Sequence, residues 1–99
     1  MVDAIESEDF RTRQLDLISK QIEAYRLGTI KMGPLASRLE GLLLALYEQK
    51  IPENIWSKVC NIEEVNAVLL DNGKKPSDSD LKIIAESLSS LESLLGISA

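Results

Sequence analysis

The sequence predicts an all-α protein, an antiparallel four-helix bundle, and three observations lead to it. Large apolar residues recur at steps of three and four in four separate segments, which is the period of a helix and not of a strand. Glycines and prolines fall between those segments, where helices start and stop. A length of 99 residues with 44% hydrophobic content suits a single domain over residues 1–99 built on one core.

The first segment carries Leu15, Ile18, Ile22 and Tyr25 on one helical face, which predicts a helix over 8–27. Gly28 suits the left-handed position that ends it. Upstream, Met1 to Phe10 contains Asp3, Glu6, Glu8 and Asp9 and no basic residue, and reads as a solvated acidic tail.

Leu35, Leu39, Leu42, Leu43 and Leu46 predict a second helix over 34–50, with Pro34 in its first turn. Leu44 and Tyr47 widen its apolar surface beyond one stripe, as a central helix requires. Pro52 separates it from a third helix over 53–71, in which Ile55, Val59, Ile62, Val65 and Leu69 keep the helical step up to Asn72-Gly73. Trp56, next to inward-facing Ile55, belongs at the edge of the core.

A fourth helix is predicted over 78–95. Ser77 or Ser79 supplies its cap, and Asp78 and Asp80 face the positive end of its dipole. Leu81, Ile84, Ala85, Leu88, Leu91 and Leu95 form the expected inner face, with Ser87, Ser89, Ser90 and Ser93 outward. Gly96 ends it.

Composition narrows the function. The net charge of −5 disfavours direct binding of nucleic acid or of an anionic membrane, because phosphate contacts need Lys and Arg; a basic partner suits the chain better. Lys74, Lys75 and Lys82 supply only a small basic patch. No apolar run approaches the length of a membrane span, and the acidic start lacks the basic and apolar regions of a secretory signal, so a cytoplasmic, soluble protein is expected. A single cysteine, Cys60, reads as core filling.

The residues argue against an enzyme. Histidine is absent, which removes the side chain best suited to acid–base work near neutral pH and the commonest metal ligand. The five glycines are scattered and form no phosphate loop. Glu63 and Glu64 are the densest acidic pair, yet adjacent helical residues diverge by about 100° and do not converge on one ion. No catalytic, cofactor-binding or metal residue is therefore assigned.

The chain resembles the small helical immunity proteins encoded beside the toxins of bacterial contact-dependent growth inhibition systems. The likeness runs from Tyr25, Gly28 and Ile30 through Leu39-Glu40-Gly41-Leu42-Leu43 and Trp56 to Ile62-Glu63-Glu64-Val65-Asn66-Ala67 and the Leu81 to Leu95 helix. Met32-Gly33-Pro34 stands where the resemblance implies a polar cap before the second helix.

The resemblance implies a cytoplasmic antitoxin that forms a 1:1 heterodimer with the cognate C-terminal toxin domain. That domain would be a nuclease, with an RNase preferred. The acidic charge fits the basic groove of such a toxin, where carboxylates stand in for phosphates and an aromatic side chain anchors the centre. The candidate partner-binding residues are Glu53, Trp56, Glu63, Glu64 and Asp71 on the third helix, with the N-terminal acids as a second choice. A different reading is a self-associating structural or regulatory helical module that pairs through Leu44 and Tyr47.

Overall fold

Each of the three interhelical turns has its own way of stopping a helix, and together they fix the fold. The structure is a computed structural model that describes residues 2–97, with side chains described from Asp9 to Ile97. Four helices follow in order, α1 (Val2–Arg26), α2 (Met32–Leu46), α3 (Glu53–Asn72) and α4 (Asp78–Leu95), with no strand among the described residues.

The end of α1 is closed by Gly28 at φ 81°, where the Gly28 amide donates to Tyr25 O at 3.0 Å and the Thr29 amide to Ala24 O at 2.8 Å. The Thr29 hydroxyl donates to the same carbonyl at 2.9 Å. Carbonyls left unpaired by the helix end thereby find partners. At the other end α1 begins at Val2, well before the expected Glu8. The stretch read as a tail is helical, and acids early in a helix complement its dipole.

Lys31 caps α2 with extended backbone and no side-chain bond, and Pro34 lies in the first turn as expected. The helix stops at Leu46 and not at 50. Glu48 and Gln49 enter the left-handed region at φ 50° and 72°, and the Gln49 amide donates to Leu44 O at 2.8 Å. A non-glycine turn of this kind carries little sequence signal.

Between α3 and α4, Gly73 at φ 63° donates its amide to Leu69 O at 2.9 Å. Ser77 then opens α4 with a capping box: its hydroxyl accepts from the Asp80 amide at 3.1 Å, and its own amide donates to the Asp80 carboxylate at 2.9 Å. Of the two expected caps, the structure uses Ser77.

Successive helices run antiparallel. Gln14 donates to Leu42 O at 3.4 Å while Arg38 donates to Gln21 at 3.0 Å, so α1 and α2 ascend in opposite senses. Asn61 donates to Ser87 at 3.5 Å across α3 and α4. The first and last helices meet where Arg26 reaches Glu92.

Ile18 and Ile22 of α1, Leu35, Leu39 and Leu43 of α2, Val59 and Ile62 of α3, and Ile84, Leu88 and Leu91 of α4 are the fully buried centre. At about 1.5 to 3 kcal/mol for each such side chain, this shared core holds the helices together. The α4 stripe is rotated from the predicted one. Leu81 and Ala85 are exposed, whereas Ser87 and Glu92 point inward. Both inward polar groups have partners, Asn61 and Arg26 respectively, which offsets part of the cost of burying them.

Candidate functional site

The residue spacing of α3 divides its acids between two faces. Glu53, Cys60, Glu64 and Asp71 repeat at steps of seven, four and seven and share one stripe. Trp56 and Glu63, seven apart, lie on the flank turned toward α2. Glu53, Glu64 and Asp71 are exposed, Glu63 is half-buried, and Trp56 is half-buried with its ring packed on the core.

The flank gains a second carboxylate from the neighbouring helix. Glu40 of α2 is half-buried and lies close enough to Glu63 for the two carboxyl groups to interact. Burial pushes the Glu63 carboxyl above the usual carboxylate range, and the proximity of the Glu40 carboxylate pushes it further. Cys60 lies among the same groups. Its thiol is raised first by burial and then by Glu63, Glu40, Glu53 and Glu64, which leaves little thiolate at neutral pH.

Four of the five expected residues, Glu53, Trp56, Glu63 and Glu64, thus belong to one surface around Cys60, the acids among them acting on its thiol. Asp71 does not. Seven residues past Glu64, it is about 10 Å farther along the helix, beside the Lys74 and Lys75 turn. The side chains of the N-terminal acids Asp3, Glu6 and Glu8 lie outside the described residues, and Asp9 is exposed.

Glu40 was not among the expected site residues. Periodicity along α2 marks it as flanking the core, but only the packing of α2 on α3 reveals which flank it joins.

Chemically the surface offers anionic acceptors and an aromatic face. Lys58 lines a groove against Asn61, Glu86 and Ser87, on the side of α3 away from Cys60, so it does not activate the thiol. Among the described residues no group of three or more His, Cys, Asp or Glu side chains is placed to hold a metal ion. No helix among them is long and apolar enough to cross a membrane. Compared with family models, curated proteins and solved structures, the chain matches none.

Proposed function

We propose that the protein is a cytoplasmic immunity protein that binds the C-terminal toxin domain of a contact-dependent growth inhibition effector and blocks its active site in a 1:1 complex. The toxin is a nuclease, with RNA the preferred substrate. The observation that carries this reading is the grouping of Glu40, Glu53, Glu63 and Glu64 around Trp56 and Cys60 on the α2–α3 face. The family resemblance gives the partner class.

The physical argument concerns charge. Glu40 and Glu63 are like charges close enough to repel across the α2–α3 contact, and a Lys or Arg placed between them by a partner relieves that repulsion. Displaced phosphates in a nuclease groove would leave such cations free. Long-range attraction between the acidic chain and a basic groove also speeds encounter.

The test is co-expression of this chain with the toxic C-terminal domain encoded next to its gene. Restored growth and a stable 1:1 complex are expected. Continued killing in the presence of the folded protein rules the reading out.

A further inference from the structure

The opposite end of the bundle carries a surface of contrary charge. The C-terminal part of α1, the start of α2 and the end of α3 enclose a groove of about 420 Å³ with Tyr25, Met32 and Leu69 on its apolar floor and Lys31, Lys74 and Lys75 at its rim. None of its lining residues is acidic. The start of α2 adds positive character, since Lys31 makes no side-chain cap and no acid occupies the first turn.

Apolar exposure is concentrated at the same end. Leu70, in the groove lining, and Leu27, just past α1, are 73% and 72% exposed, the highest among the large apolar side chains described. Exposed apolar area beside a charged rim marks a docking surface, and its occupant must be acidic and partly apolar.

The chain itself contains such a segment. Its first ten residues hold Asp3, Glu6, Glu8 and Asp9, no basic residue, and the apolar Val2, Ile5 and Phe10. The segment is helical from Val2, and Phe10 is 40% exposed. Because Gln14 pairs with Leu42 and α2 ends at Leu46, the helix before Phe10 continues past the end of α2.

We infer that the free protein self-associates, with the acidic N-terminal helix of one copy seated on the Lys31–Lys74–Lys75 groove of a second. Within α1 the segment and the groove lie about 24 Å apart, Asp9 to Tyr25 at 1.5 Å per residue. Two α1 helices side by side and antiparallel therefore bring each segment to the other copy's groove. The contact is made twice and the assembly closes as a two-fold dimer. This interface is distinct from a pairing through Leu44 and Tyr47, and the inference does not depend on the toxin reading.

Sedimentation equilibrium of the full chain from micromolar to millimolar concentration tests it. A dimer is expected whose dissociation constant rises at least about tenfold from low to high salt. One variant, Lys31→Glu/Lys74→Glu/Lys75→Glu, and another, Asp3→Lys/Glu6→Lys/Glu8→Lys, are each expected to be monomeric with the helical circular dichroism of the parent. Mixed in equal amounts they regain complementary charge at both contacts and form a heterodimer.

A wild-type chain that stays monomeric throughout overturns the inference. So does a dimer indifferent to both sets of substitutions, or a mixture that fails to associate. Monomeric protein whose Leu69, Leu70 and Lys74 amide resonances move only when the toxin domain is added assigns the groove to that partner instead.

Discussion

Arg26 of α1 and Glu92 of α4 form a bidentate ion pair across 66 positions of sequence, Nη1 donating to Oε2 at 2.8 Å and Nη2 to Oε1 at 2.7 Å. Glu92 is 6% exposed, while the arginine keeps contact with solvent. The fork geometry satisfies both carboxylate oxygens, and the bond to Glu92 raises the arginine further above its usual range.

Removing only the cation strands a buried carboxylate. Arg26→Met is expected to cost about 2 kcal/mol, lowering Tm by about 8 to 16 °C at this chain length. Arg26→Met with Glu92→Leu recovers most of that loss, because an apolar pair has no charge to desolvate. Thermal unfolding of both variants checks the order.

Glu63 gives a pH dependence of opposite kind to a paired carboxylate. Its folded-state pKa lies above the unfolded value, so the folded chain binds the proton more tightly and ionisation opposes folding. The penalty is full above the folded pKa and disappears as pH falls through it toward the unfolded value. Glu63→Gln is therefore expected to raise Tm at pH 7 by about 1 to 4 °C. The gain should vanish near pH 4, by calorimetry across that range.

On the proposed docking face, Glu53→Lys/Glu63→Lys/Glu64→Lys is expected to weaken toxin-domain binding at least about a hundredfold and to flatten its salt dependence. Asp71→Lys, beyond that face, is expected to change affinity less than about threefold. Titration calorimetry at two salt concentrations separates them. A larger effect from Asp71 would move the interface toward the lysine end.

Two glycines are predicted to respond in opposite directions. Gly73 holds φ at 63°, so Gly73→Ala forces a side chain into the left-handed region and costs about 1 to 2 kcal/mol. Gly41 lies inside α2 with nothing within 4 Å of an added Cβ. Gly41→Ala is expected to stabilise by about 0.5 to 1 kcal/mol. Urea midpoints measure both.

The elements and most of the core were legible because apolar periodicity and turn glycines are local signals. Ile18, Ile22, Leu39, Val59 and Leu88 fall where the spacing puts them. What escaped was set by neighbours. Ser87 and Glu92 face inward because Asn61 and Arg26 meet them there, and nothing along α4 announces partners on α3 and α1. The turn at Glu48 and Gln49 adopts glycine-like backbone without glycine. In the candidate site, the α3 stripe was readable from one helix, whereas the role of Glu40 needed the packing of two.

The Arg26–Glu92 link also bears on how the chain reaches its native state. Most packing joins helices adjacent in sequence, across turns of a few residues, and so closes short loops; such topologies fold in milliseconds or less. The link between the first and last helices closes the longest loop and is expected to form late. Interactions absent from the transition state act on unfolding alone. Stopped-flow measurements on Arg26→Met should accordingly find an unchanged folding rate and a native state that opens sooner.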